Sequence, residues 1–128
     1  MVKEIRLVVL NGNIMRNNNK GYVYLISTSD VDVNEDKLYY KIGITKNNPK
    51  LRVKQLSTGS AAKLILLREY ESMEYKKIER ILHRDFGSKR KEGEWFDLTD
   101  EDIFGFIDKC KEYEDLIVFL KKNNSLYK

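Results

Sequence analysis

Four side chains with chemical potential stand where a small domain would ordinarily place apolar or plain surface residues. Alternation along two runs, Tyr22–Ser27 and Leu38–Thr45, puts Tyr22, Tyr24 and Ile26 on one face with Tyr39, Lys41 and Gly43. A tyrosine and a lysine side by side are an odd choice for a half-buried sheet, and a lysine beside a phenol favours the phenolate. Glu79 lies inside an apolar stripe of Tyr75, Ile78, Leu82 and Phe86. A carboxylate aimed inward needs a partner. Arg52 falls in a short helix after the second run. Taken singly, each has a plain reading. Tyr24 would be a core aromatic with its hydroxyl at the surface, Lys41 an edge-strand charge that blocks aggregation, and Arg52 a helix-surface cation. Glu79 would be a structural bridge to Arg52 or Lys41.

The elements that must position these groups follow from local patterning. Residues 3–10 read as an edge strand or a short helix, with the β-branched content favouring the strand, Asn11–Asn13 as a turn and Arg16–Lys20 as a polar loop. Two strands follow, Tyr22–Ser27 and Leu38–Thr45, joined by a long polar loop from Ser29 to Lys37. Gly43 within the second suggests a bulge or a close backbone approach. Asn47, Asn48 and Pro49 open a helix that carries Arg52 and runs to about Ser57, ended by Thr58, Gly59 and Ser60. Lys63–Glu71 forms a third strand. Ser72 caps a helix from Met73 to about Phe86, closed by Gly87. The basic patch Lys89, Arg90 and Lys91 comes next, then Trp95, Phe96 and Leu98 as core anchors in a short strand or turn. Thr99 caps a final helix with acidic residues in its first turn. The 3–4 spacing of Ile103, Phe106, Cys110, Tyr113, Ile117 and Leu120 carries this helix to about Lys122, unbroken or broken near Glu114.

Bulk properties narrow the function classes. A chain of 128 residues suits one domain. An apolar fraction of 41% excludes a disordered chain, and 34% charged residues imply a highly polar surface. A net charge of +4 serves solubility alone or attraction to phosphate. The single cysteine, Cys110, excludes an internal disulfide and a cysteine-rich zinc site, and its apolar helical position makes it a core residue. The apolar run in MVKEIRLVVL is too short for a signal peptide, and no stretch approaches a membrane span. The expectation is a soluble cytoplasmic protein, without a membrane partner.

The spaced series Val23-Tyr24, Lys41-Ile42-Gly43, Arg52 and Glu79 resembles the GIY-YIG nuclease superfamily, and within it the branch with a T5orf172-type domain. The branch features are YKIGIT (Tyr40–Thr45), LSTG after the Arg52 helix, ERILHRDF (Glu79–Phe86) and GEWF (Gly93–Phe96). The resemblance covers about residues 21–98, leaving an N-terminal extension of 1–20 and a C-terminal helical extension of 99–128. It implies an α+β fold, a small three-stranded antiparallel sheet flanked by helices, here with an added C-terminal helix. It also implies cleavage of phosphodiester bonds dependent on Mg²⁺ or Mn²⁺.

Under that resemblance Tyr24 is the general base or proton relay, and its ordinary pKa near 10 requires help from a neighbouring cation. Lys41 replaces the usual tyrosine of the second motif and would touch the scissile phosphate. Arg52 would stabilise charge on phosphorus, and Glu79 would hold the metal. His83, one turn after Glu79, would position the phosphate or cap a buried hydrogen bond. Lys46, Lys89 and Arg90 are candidate nucleic-acid contacts, and loop cations otherwise. The leading expectation is an endonuclease acting on DNA. The alternatives are a nucleic-acid-binding module with little or no catalysis, and an interaction domain using its amphipathic C-terminal helix, through which the chain would form a homodimer.

Overall fold

The computed structural model describes residues 19–28, 38–58 and 63–123. The strand expected over 3–10, the turn at 11–13, most of the 16–20 loop, the 29–37 loop and the Gly59–Ser60 stop lie outside these residues.

The chain forms an α+β fold around an antiparallel sheet. Strands β1 (Gly21–Thr28), β2 (Tyr40–Thr45) and β3 (Leu64–Ser72) are joined by β4 (Arg90–Glu92) and β5 (Trp95–Phe96), in the order β3-β1-β2-β5-β4. Among the described residues the sheet thus has five strands, not three. The two extra strands form a hairpin of three and two residues, too short to leave a pattern in the sequence. Its turn requires Gly93, whose φ of 57° is the left-handed conformation that glycine adopts without strain. Arg90, expected in a loop, belongs to β4.

β1 sits inside the sheet and is covered on both sides, so Val23, Tyr24, Leu25 and Ile26 are all at most 2% exposed. Its Val23 and Leu25 face joins Ile42, Ile78, Leu82, Phe96, Phe106, Cys110 and Ile117 in the larger core. Its Tyr24 and Ile26 face packs on Val53, with Leu56, Leu64 and Leu66 around them. Each fully buried aliphatic side chain contributes roughly 1.5–3 kcal/mol relative to exposure. A bulge between β1 and β3 pairs Leu25 with Arg68 but Ile26 with Leu66. The extra residue inverts the alternation. Leu64 and Leu66 therefore face the Tyr24 side, while Tyr70 faces the larger core.

Helix α1 (Pro49–Ser57) starts as its sequence demands: the Asn48 side chain accepts from Lys50 N at 2.8 Å, with proline in the first turn. It turns Pro49, Val53 and Leu56 inward. Arg52 lies at same-face offsets from Pro49 and Leu56, so it is directed toward the sheet and is half-buried. Helix α2 (Tyr75–Asp85) begins two residues later than expected. Ser72 does not cap it by itself: its hydroxyl accepts from Glu74 N and donates to Glu114. A single 3-10 turn (Gly87–Lys89) leads into the hairpin.

The final helix is broken, at Gly105 rather than at Glu114. Helix α3 (Asp100–Phe104) has a full capping box between Thr99 and Asp102, and α4 (Phe106–Asn123) follows. Glu114 instead fastens α4 to β3, accepting from the Tyr70 and Ser72 hydroxyls at 2.5 Å each. Burial first, and then this carboxylate, raise the Tyr70 pKa. Burial likewise pushes the Cys110 thiol up to about 12, which suits an inert core residue. No helix among the described residues is long and apolar enough to cross a membrane.

Candidate functional site

The site forms at the outer edge of β2, where β5 stops pairing. Lys41 is the cross-strand partner of Ile26, and Gly43 of Tyr24. Lys41, Gly43 and Tyr24 thus share a face, as the alternation predicts. Beyond Lys41, β2 receives one more bond from the hairpin, Ile42 N to Glu94 O at 3.2 Å. The Ile42 carbonyl is taken by α2 instead: His83 Nε2 lies 2.9 Å from it. A carbonyl can only accept, so Nε2 carries the proton. His83 therefore closes the ladder where β5 ends, and its ring meets Phe96 edge-on at 5.1 Å.

Tyr24 is the deepest polar group of the site, with 2% of its surface exposed. Its phenol lies over Gly43: a Cβ there would stand 2.6 Å from the ring Cζ, nearer than any real contact allows. Gly43 is accordingly a close-approach glycine, the second of its two expected readings. The Arg52 guanidinium donates a hydrogen bond to the Tyr24 hydroxyl. Burial raises the Tyr24 pKa, the Arg52 bond and charge lower it in part, and the Glu94 and Glu79 carboxylates raise it again. The net direction is upward, so the phenol is neutral at pH 7.

Glu79 extends from α2 with 17% of its side chain exposed. Burial raises its pKa. His83 opposes this, Glu94 adds to it, and Lys41 and Arg80 oppose it. Glu79 Oε2 lies 3.7 Å from His83 Nε2, whose proton is already given to Ile42. Lys41 Nζ pairs with Glu94 Oε1 at 3.1 Å. The structure therefore brings Tyr24, Lys41, Arg52, Glu79 and His83 into one electrostatically linked group, drawn from β1, β2, α1 and α2.

Glu94 completes that group and was missed in the sequence. It sits among charged residues on either side of Gly93, and only the hairpin turn carries it to Lys41. The other candidate cations are placed differently. Lys89 bonds Asp102 at 2.6 Å. Burial would raise the Asp102 carboxyl, but the bonds from Lys89 and Thr99 outweigh it and hold it below the usual range. Arg90 donates to the Gly93 carbonyl and stacks 4.9 Å over Phe96. Lys46 is exposed and lines a cavity of about 360 Å³ with Lys76, Lys77 and Lys121.

The residues fit a hard divalent cation sparingly. No group of three His, Cys, Asp or Glu side chains that could enclose a metal occurs among the described residues. Magnesium characteristically takes one or two carboxylates and completes its shell with water and phosphate. Glu79 is a half-buried carboxylate held above its ordinary pKa by desolvation, with Glu94 nearby. That donor set suits such a shell, and protonated His83 Nε2 is not part of it.

No curated protein and no solved structure matches this chain. The family model described as the T5orf172 domain matches residues 21–111, from the first residue of β1 into α4. The match takes in every residue of the group just described, and the chain belongs to the T5orf172 domain family.

Proposed function

We propose that the protein is an endonuclease that hydrolyses phosphodiester bonds in DNA by a GIY-YIG-type mechanism. The observation that carries this reading is the Tyr24 hydroxyl held by Arg52 and set among Lys41, Glu79 and Glu94. A phenol, two cations and a desolvated carboxylate are what in-line attack of water on phosphorus requires. Arg52 bonds one lone pair of the phenol oxygen, which leaves the other to accept from the reacting water while the phenol proton turns to the carboxylate side of the site. As the attack proceeds, the phenol oxygen takes the water's proton and gives its own to the Glu94 carboxylate, and Arg52 balances the negative charge that grows on the phosphoryl oxygens. Lys41 leaves Glu94 for the phosphate when substrate enters. Glu79 would hold Mg²⁺ or Mn²⁺, which when bound supplies Lewis-acid stabilisation of the leaving oxygen. His83 is a positioning residue: it keeps the β2 edge and Glu79 in register. The products are a 5′-phosphate and a 3′-hydroxyl.

The rival reading is a nucleic-acid-binding module without catalysis. It is favoured by the Lys41–Glu94 pair, which neutralises the lysine, and by the raised Tyr24 pKa. Nicking of supercoiled plasmid with Mg²⁺ separates the two. Wild type is expected to nick, and Glu79→Ala and Arg52→Ala to lose at least a hundredfold, roughly the effect of removing one charge-stabilising group. Salt-sensitive binding without cleavage in all three proteins selects the binding module.

A further inference from the structure

Beside the candidate site lies a cavity of about 260 Å³ with a mostly apolar wall, lined by Thr28, Tyr39, Lys91, Glu92 and Trp95. Trp95 had the look of a core residue, but the hairpin separates it from its neighbour. Phe96 pairs with Tyr40 and is fully buried, whereas Trp95 pairs with Lys41 and is only half-buried. Trp95 thus shares its face with Lys41, and so does Tyr39, two residues or about 7 Å along the strand direction. Each ring has a lysine over it. Lys41 Nζ stands 5.9 Å from the Trp95 ring centre and Lys91 Nζ 5.3 Å from the Tyr39 ring centre.

We propose that this slot stacks an unpaired nucleobase, so that the substrate presents single-stranded nucleic acid next to the phosphodiester held at Lys41. The inference rests on the phosphodiester reading of the neighbouring site. Aromatic rings flanked by cations are the elements of a single-strand platform: the rings take base faces and the lysines take backbone phosphates. Lys41 belongs to both places, which ties the stacked nucleotide to the scissile linkage. A base inside a duplex is covered on both faces by its neighbours and cannot enter the slot without being extruded. Lys41 and Lys91 are balanced by Glu94 and Glu92, so it is the two cation-capped rings, not net charge, that favour a nucleotide over a peptide side chain.

Trp95 is the single tryptophan of the chain, so its fluorescence reports on the slot alone. The full chain is titrated with a twelve-residue thymidine strand in EDTA and low salt, with anisotropy of a labelled strand followed in parallel. The expected result is saturable quenching, with single strand bound at least tenfold more tightly than duplex of equal length. A strand of abasic nucleotides is expected to lose about tenfold in affinity and to leave the tryptophan unquenched, as removal of stacking predicts. Tyr39→Leu is expected to weaken binding of the thymidine strand to a similar degree and leave abasic binding unchanged. Should that variant fail to fold, the abasic comparison on wild type still decides. Binding seen by anisotropy without quenching, or equal affinity for thymidine and abasic strands, overturns the slot. Quenching together with no cleavage in Mg²⁺ upholds the slot and removes the nuclease reading. Cleavage of DNA without quenching does the reverse.

Discussion

The Tyr24 phenol occupies the space that a side chain at Gly43 would fill. A Cβ at 43 would lie 2.6 Å from the Tyr24 Cζ, and Tyr24 is hemmed in by Ile26, Val53, Leu64 and Leu66. The missing side chain on β2 is what lets a tyrosine lie flat across the sheet and bring its hydroxyl to Arg52.

Two substitutions separate this packing from the chemistry. Gly43→Ala overpacks a full site and is expected to cost about 1–3 kcal/mol in chemical denaturation. It should also displace the hydroxyl and lower nicking by at least tenfold. Tyr24→Phe keeps the ring and loses the oxygen, so stability should change by less than about 1.5 kcal/mol while nicking falls at least a hundredfold. Full nicking by Tyr24→Phe would remove the phenol from the mechanism.

Glu79 links stability to pH. Its folded pKa is raised by burial above the ordinary 4.5, so the folded state binds this proton more tightly than the unfolded chain. The corresponding stability is fully present below the unfolded value and is lost as pH rises through the folded pKa. In EDTA, Glu79→Gln should therefore melt about 2 °C above wild type at pH 7.5, a difference that shrinks as pH falls toward 4.5. Adding 10 mM Mg²⁺ should raise the wild-type Tm by about 1–4 °C and leave the Gln variant unmoved. An equal Mg²⁺ shift in both proteins would take Glu79 out of the metal site.

Lys41 separates two carboxylates. It pairs with Glu94 and lowers the Glu79 pKa. Lys41→Ala leaves both without that cation, so nicking should fall by about 10²–10³-fold while stability changes by less than about 1 kcal/mol, as for a partly exposed pair. Lys41→Tyr restores a hydroxyl donor on the same face and is expected to recover at least tenfold over Lys41→Ala in plasmid nicking. A Lys41→Ala variant with wild-type rates would show that the lysine serves only its ion pair.

The α4 face turned from the core carries Leu116, Val118 and Phe119, exposed by 42–59%. If the chain pairs with itself, this is the surface that does so. Removing residues 114–128 would also remove Glu114 and the buried Ile117, so a point change is the better probe. Phe119→Lys should turn a concentration-dependent dimer into a monomer by sedimentation, with Tm changed by no more than about 2 °C. Wild type sedimenting as a monomer at all concentrations would dismiss pairing through α4.

Much of this arrangement is legible in the chain because local physics sets it. Strict alternation in the first two strands places Tyr24, Lys41 and Gly43 on one face. Asn48-Pro49 and Thr99 with Asp102 marked helix starts by their own hydrogen bonds. The 3–4 spacing turned Glu79 inward. The misses have equally physical causes. A hairpin of three and two residues has no period to detect, so β4 and the half-buried setting of Trp95 went unseen, and β5 was legible only as a short strand or turn. The apolar spacing runs on from Ile103 in α3 to Phe106 in α4 across Gly105, which concealed the break there.

What the sequence determined by itself is therefore which groups leave the core pattern and which face of which element each occupies. Those are properties of neighbours a few residues apart. Tertiary structure alone decided that Arg52 bonds Tyr24, that Glu94 shares Lys41, and that His83 closes the β2 ladder. Each of these joins residues 28 to 53 apart in the chain. Contacts at that range depend on how helices seat on a particular twisted sheet, and no local periodicity encodes it.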